Sequence, residues 1–398
     1  MQNQLAAIEL RVLVGEFQQL VGSRLDQVYD LAGSVSENGK RLVLQLSISE
    51  SKHRDSPGNS NQLQSNKCFF ACVAPFAVFS SASRPETVQG PGSFCSLLRH
   101  HLENAKLISI SQLGCERILE LVFSSGNSRQ LRLIFELFSK GNVILVDEKS
   151  VIIGAAESQS WKDRTVRPGF AYSLPPAFAG FAALSEEQFL SAVLSSEKDS
   201  VVKALAVDLG LSGAYAEELC TAASIDKAKS PALLSPGELK ELYSALQKLL
   251  SRKPEPIAIL DSSGRVAVAF PFKVAASAGL ETKPFQSFSQ AVESVMVSRL
   301  ESSISSSRES SSSKRIKEVE FTIGQQKAAI GEMEKAAKEN TRAAELIYEH
   351  YLAVKQVLDD YNRLRKTFTK EQLREYFASN SKIKDIDEKT GTITIELG

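Results

Sequence analysis

The sequence predicts an α+β protein in three parts: a mixed α/β domain over residues 1–176, an all-helical domain with a small β-hairpin over 177–290, and a coiled-coil helical arm over 291–398. Three observations carry this prediction. Short apolar runs of β character, bounded by Gly, Ser or Asn, dominate the first part in the manner of a meander. A connector rich in proline and alanine, YSLPPAFAGFAAL, separates them from a helical block at 185–250. An apolar stripe with alternating three- and four-residue spacing then runs from Ile316 to Tyr361.

The first part opens on an amphipathic helix over residues 5–21, with Leu5, Ile8, Val12, Phe17, Leu20 and Val21 on one face and Gly22 as its C-cap. Strands follow at LDQVYDL, RLVLQLSIS and CFFACVA. The polar stretch 51–67, SKHRDSPGNSNQLQSNK, is expected as a loose loop between two of them. FCSLLRHHLE reads as a helix, and LISISQLG, RILELVFS, QLRLIFELF and NVILVDE as further strands. In the helical block, LGLSGAYAEELC sets Gly210 and Gly213 about a tight turn, with Ala216 and Leu219 following at GxxAxxL spacing. That is the pattern of a helix-hairpin-helix, whose turn exposes amides that can meet a phosphate. An αα-hairpin with a glycine turn and no ligand fits the same residues, since Glu217 and Glu218 make the flank acidic.

Residues 256–272, PIAILDSSGRVAVAFPF, predict a β-hairpin turning at Ser263-Gly264. The serine run SSISSSRESSSS predicts a frayed stretch, because serine is a mediocre helix former. Beyond it the stripe continues through Ile316, Val319, Ile323, Ile330, Met333, Ile347, Tyr351, Val354 and Leu358, with only Gln326 and Asn340 polar. A seam this long extends on the order of 70 Å and needs a partner helix. That partner is a missing return segment, a separate chain or a second copy. The closing stretch SKIKDIDEKTGTITIELG reads as a short strand pair or an extended tail.

Composition excludes several function classes. Lys plus Arg equals Asp plus Glu at 47 each, so no global field marks a nucleic-acid or membrane binder, and any polyanion site is a local patch. Five cysteines without a CxxC pair argue for reduced thiols in a cytosolic protein. The four histidines form no metal-ligand motif, and no cofactor or metal is expected. Glu9, Arg11 and Glu16 interrupt the N-terminal apolar residues, unlike a signal peptide, and no apolar run reaches spanning length. No conventional active site is visible, so no enzyme activity is expected.

Five segments together resemble the NFACT family: LLRHHLENAKLISISQLGCERILELVF, LIFELFSKGNVILVDE, RPGFAYSLPP, LGLSGAYAEEL and ELIYEHYLAVKQVL, in that order. The resemblance covers nearly the whole chain. It implies an NFACT-N domain similar to the N-domain of formamidopyrimidine-type glycosylases, then a helix-hairpin-helix domain and a coiled coil. The family's NFACT-R domain does not follow here, which implies a chain cut short or naturally split. The function implied is ribosome-associated quality control. Such factors bind large ribosomal subunits that hold peptidyl-tRNA, engage tRNA and promote template-free tailing of the stalled chain, while the ribosome supplies the chemistry.

The resemblance also implies site residues. The family's Asp in the first helix and its Asp-Arg pair fall on Glu9, Glu116 and Arg117 here, each acid one methylene longer. Taken alone, Glu116-Arg117 reads equally as a solvated ion pair at a strand end. Charge chemistry adds Arg99, His100 and Lys106 around one helix end, and Trp161, Lys162, Arg164 and Arg167 ahead of Pro168-Gly169. An aromatic beside three cations suits base stacking plus phosphate contact, or is ordinary surface charge around a buried tryptophan. The full candidate RNA set is these nine with Glu9, Gly210 and Gly213. Glycosylase chemistry needs an N-terminal proline amine, and Gln2 and Asn3 stand there instead. The remaining alternatives are a surface adhesin, which the missing signal peptide opposes, and a coiled-coil adaptor without tRNA activity.

Overall fold

A computed structural model of the 398-residue chain describes all residues except 1–3, 33–39, 49–66, 127–128, 162–163, 176–179, 183, 379–382, 388–391 and 397–398, and the side chains of 301–315, 317, 370, 374, 378 and 386–387. The loop expected over 51–67 therefore lies, but for Lys67, outside the described residues. The chain divides into two compact units, Met1–Ser307 and Arg308–Gly398.

The first unit begins with α1 (Ala7–Phe17), as the apolar spacing predicts, and a single 3-10 turn carries it to Leu20. A nine-stranded antiparallel sheet follows: β1 (Arg24–Asp30), β2 (Lys40–Ser47), β3 (Lys67–Ala74), β4 (Ala77–Ser81), β5 (Lys106–Gln112), β6 (Ile118–Ser125), β7 (Arg129–Glu136), β8 (Asn142–Val146) and β9 (Ile152–Ala155), with α2 (Ser93–Leu102) between β4 and β5. Its order is β4-β3-β2-β1-β5-β6-β7-β8-β9, two meanders joined where β1 meets β5 through the single pair Arg24↔Lys106. Leucines and phenylalanines of these strands form one core with α1 and α2. A two-stranded ladder of β10 (Gln159–Ser160) and β11 (Thr165–Val166) follows, and Val166 and Tyr172 cover a smaller isoleucine cluster on β6, β7 and β8.

The helical block contains α3 (Glu186–Leu194), α4 (Val201–Lys203), a π-turn at Ala204–Asp208, α5 (Gly213–Ala222) and α6 (Pro236–Ser251). Ser185 with Gln188 and Ser235 with Glu238 form capping boxes that start α3 and α6. The predicted hairpin is β12 (Ile257–Leu260) and β13 (Val266–Phe270), and β14 (Thr282–Pro284) adds a third strand. A second core unites this block with Ala6, Ala7 and Ile8, so the start of α1 is shared between the two cores.

Helix α7 (Phe288–Glu349) starts in the first unit and continues into the second. Its first turns bury Phe288, Ala291, Val292, Val295 and Met296 in the sheet core. The Glu16 carboxylate accepts the amides of Phe288 and Ser289 at 2.7 and 2.8 Å, satisfying two orphan donors of the helix start. The serine run lies inside α7 and is helical, which corrects the expectation of a frayed stretch. Serine costs roughly 0.5 kcal/mol against alanine, too little to stop a helix already formed on both sides.

In the second unit the expected single arm is interrupted. His350, at φ −110° and ψ 30°, separates α7 from α8 (Tyr351–Leu364). Ile316, Val319, Ile323, Ile330, Met333, Ile347, Tyr351 and Leu358 are exposed along the seam. The chain does not end as a bare tail. Helix α9 (Lys370–Ala378), which the sequence reading missed, packs Leu373 and Phe377 against Tyr361, Leu364 and the hairpin of β15 (Ile383–Asp387) and β16 (Thr392–Ile395). Among the described residues no helix is long and apolar enough to cross a membrane.

Candidate functional site

Three segments far apart in sequence meet beside the N-terminus of α1. The loop between β5 and β6 brings Cys115, Glu116 and Arg117. The residues leading into α1 bring Gln4, Leu5 and Ala6. The turn before α5 brings Leu209, Gly210 and Ser212. With Gly180 and Phe76 they line a cavity of about 590 Å³.

Each wall has a local cause. Gln112 donates from Nε2 to the carbonyls of Ala7 (2.9 Å) and Glu116 (2.8 Å), tying the loop to the helix start. Gly210 sits at φ +70°, a left-handed conformation that glycine adopts without strain, and Ser212 is held at φ +68° beside it. Gly180 passes so close to Cys115 that a Cβ there would stand 2.7 Å from its sulfur. Gly180 is fixed by lack of space, and Gly210 by its backbone conformation, since a side chain there would meet nothing within 4 Å.

Arg117 is the cavity's cation. Its Nη1 donates to Oε1 of Gln4 at 2.7 Å. Burial lowers its guanidinium from the usual value, while Glu116 and Glu9 pull it back up. Glu9 lies just behind, on the first turn of α1. Its Oε2 accepts the Ala6 amide (2.7 Å) and its Oε1 accepts the Tyr215 hydroxyl from α5 (2.8 Å). Burial pushes its carboxyl up to about 7, against these two hydrogen bonds and Arg117, which all favour the charged form. The same burial and the neighbouring Glu9 drive Tyr215 well above its ordinary value.

The twelve residues selected from sequence fall in several places. Glu116, Arg117 and Gly210 line the cavity, and Gly213 follows as the first residue of α5. Glu9 is 3% exposed and acts on the site from inside, not at its surface. Arg99, His100 and Lys106 stand elsewhere, at the junction of α2 and β5. There Arg99 donates from Nε to the Val28 carbonyl at 2.8 Å and lies over the Tyr29 ring. Lys162 is outside the described residues. Trp161 is 45% exposed, which removes the buried tryptophan from the alternatives. Arg164 requires a correction. Its guanidinium is buried, paired with Glu136, bonded to the Ser173 carbonyl and packed over Trp161 and Tyr172, so no donor edge is offered to a phosphate. Arg167 is exposed. Sequence reading missed Gln4, Gln112 and Tyr215, and for Tyr215 only its place after the Gly210 turn pointed to the site.

Comparison with known proteins gives the following. The family model described as NFACT N-terminal and middle domains matches residues 62–397. Over 414 residues the chain is 26% identical to the archaeal Rqc2 homolog aRqcH of Methanocaldococcus jannaschii, covering 100% of this chain and 58% of that protein. It is 26% identical over 208 residues to the ribosome quality control complex subunit NEMF of Homo sapiens, covering 51% of this chain and 17% of that one. A fibrinogen binding protein from Staphylococcus aureus superimposes with a TM-score of 0.56 at 19% identity, covering 72% of this chain and 97% of its own. The N-terminal part of a fibronectin/fibrinogen-binding protein from Streptococcus suis does so at 0.53 and 21%, covering 73% and 98%. These two structures are alike in fold alone. The chain spans just over half of the archaeal relative and a much smaller share of the human one.

Proposed function

The chain belongs to the family of NFACT N-terminal and middle domains, and on that footing we propose that it is a ribosome-associated quality-control factor that engages tRNA on large subunits still holding peptidyl-tRNA, for template-free tailing of the nascent chain. The observation that carries this reading is the cavity. The Glu116-Arg117 loop, the start of α1 and the Gly210 turn converge on it from three parts of the sequence. Its volume suits a single unstacked nucleotide. Arg117 supplies a cation held by Gln4, and the strained turn supplies backbone at the rim. The names of the relatives as ribosome quality control subunits support the ribosomal setting. The chain contributes binding and positioning, and peptidyl transfer belongs to the ribosome.

Sedimentation with large subunits carrying peptidyl-tRNA, against empty ones, tests the setting, and Glu116→Ala/Arg117→Ala tests the site. The double variant is expected to weaken tRNA association about tenfold with an unchanged melting temperature, as loss of one specific charged contact does. Unchanged tRNA binding removes the residue assignment. A coiled-coil adaptor is the second reading, favoured by the exposed apolar seam from Ile316 to Leu358. Self-association through that seam, without affinity for subunits or tRNA, establishes the adaptor instead.

A further inference from the structure

At one end of the large sheet, strand register assembles cations that the sequence keeps far apart. Directly opposed residues of antiparallel strands share a face. The pairs Lys67↔Ser47, Ser47↔Arg24, Arg24↔Lys106 and Lys106↔Ser124 therefore make one row across β3, β2, β1, β5 and β6. The strand neighbours Leu25, Leu46, Leu107 and Phe123 point into the core and are fully buried, so the row faces solvent. Lys67, Arg24 and Lys106 are exposed. At about 4.8 Å between strands, Lys67 and Lys106 stand roughly 14 Å apart with Arg24 between them. Gln130 on β7 continues the row opposite Ser124, whereas Arg129, opposite Ser125, lies on the other face of the sheet, near enough to His101 of α2 to help burial and His100 hold that imidazole below its usual value.

Three other cations of the domain are paired, whereas Arg41 on β2 makes no ion pair among the described residues but is only partly exposed. Lys40 meets Glu157 at 2.7 Å, Arg132 meets Glu120 at 2.6 Å, and Arg164 meets Glu136. Among the described residues, Arg24, Lys67 and Lys106 take part in no ion pair, and Arg24 donates only to the Asn104 carbonyl at 3.2 Å. Among the described residues the nearby acids are Asp26, whose carboxylate accepts from Gln45 and Ser47, and Glu103 beside Asn104. From β3 to β6 the rest of the row is serine. Unpaired cations on rigid strands, at fixed intervals and among small hydroxyls, fit a regularly charged polymer better than a protein surface of mixed sign.

We propose that this row binds the sugar-phosphate backbone of RNA, as a contact separate from the cavity. A helical nucleic-acid strand, at about 3.4 Å of rise per phosphate, presents about four phosphates over the span of the row. The contact reads no sequence and fixes the position of the RNA on the domain. The inference rests on the RNA partner proposed above but not on the cavity residues.

The test compares Arg24→Gln/Lys67→Gln/Lys106→Gln with a control of equal charge change at exposed sites elsewhere, Lys149→Gln/Lys240→Gln/Lys253→Gln. Binding of unfractionated tRNA is measured by anisotropy across a salt series, with phosphatidylserine vesicles and the Arg117→Ala variant in parallel. The row variant is expected to bind tRNA roughly tenfold more weakly near 0.1 M salt, with a salt slope shallower by about 2 to 3, and the control to stay within about twofold. If circular dichroism shows the triple variant misfolded, Arg24→Gln and Lys106→Gln singly are each expected to flatten the slope by about 1. An equal loss in row and control variants, an unchanged row variant, or no tRNA binding by the unaltered chain overturns the proposal. So does a row variant that loses only vesicle binding. Loss in the row variant with normal binding by Arg117→Ala keeps the row and removes the cavity, and the reverse pattern removes the row.

Discussion

Glu9 and Glu136 are two buried glutamates with different fates. They are 3% and 2% exposed, and each accepts a tyrosine hydroxyl, from Tyr215 and Tyr172 respectively. The difference is the third partner. Glu136 receives the Arg164 guanidinium directly, and that arginine is itself held by the Ser173 carbonyl. Glu9 receives only the Ala6 amide, and Arg117 acts on it without an ion pair among those described. Burial therefore outweighs pairing at Glu9 and leaves its carboxyl near 7. One glutamate clamps the β10–β11 region to the sheet. The other is a poised acid behind a cavity, and nothing local in the sequence distinguishes them.

The largest expected effect breaks the first of the two. Arg164→Ala leaves Glu136 buried without its cation, a change that costs about 3–5 kcal/mol. Urea unfolding followed by circular dichroism reads it, and the single tryptophan, Trp161, reports the same site by fluorescence because Arg164 lies over its ring. A loss under about 1 kcal/mol means the pair is not a clamp, and the contrast with Glu9 collapses.

The next effect concerns Glu9 and depends on pH. Its folded-state pKa is raised from 4.5 to about 7. The stability this group allows is fully present below about pH 4.5, falls as pH rises through the window, and levels off above about pH 7. The total loss is about 3 kcal/mol, from a shift of roughly two and a half units at 1.36 kcal/mol each. Glu9→Gln cannot ionise and is expected to lack this slope, so its stability relative to the unaltered chain improves by about that amount between pH 4.5 and 8. Parallel slopes for the two proteins across the window would falsify the raised pKa.

Most of the fold was legible because the sheet advertises itself. Apolar residues bounded by turn formers located β1, β2, β3, β5, β6, β7 and β8. Short strands such as β4 and β14 were missed, since three to five residues carry too little pattern. Helix α9 was missed because, among its described side chains, only Leu373 and Phe377 are buried. The site was legible in part. Glu116 and Arg117 were found through family resemblance and Gly210 through its glycine-turn spacing, whereas Gln4, Gln112 and Tyr215 act across sequence distances of 105 to 206 residues. Arg164 misled because its neighbour Trp161 is adjacent in sequence while Glu136, which claims it, lies 28 residues away. The cationic row inverts that case. Arg24, Lys67 and Lys106 each open a strand, and only the register unites them.

The smallest effect sharpens what makes Glu9 different. Tyr215→Phe removes one hydroxyl and keeps the ring that packs against Phe270 and Phe272. The lost hydrogen bond is worth about 1 kcal/mol, more when its acceptor is charged. Because that bond favours the ionised carboxyl, its removal raises Glu9 further, and the cost grows with pH. The variant is expected to lose about 1 kcal/mol at pH 5, where Glu9 is protonated, and about 2 kcal/mol at pH 8. The corresponding change at the other glutamate, Tyr172→Phe, leaves the Arg164–Glu136 pair in place and is expected to cost about 1 kcal/mol. Denaturant titrations of both variants at the two pH values decide the matter. A pH-independent cost for Tyr215→Phe would mean that Glu9 keeps one protonation state throughout, and that its burial beside the cavity is structural alone.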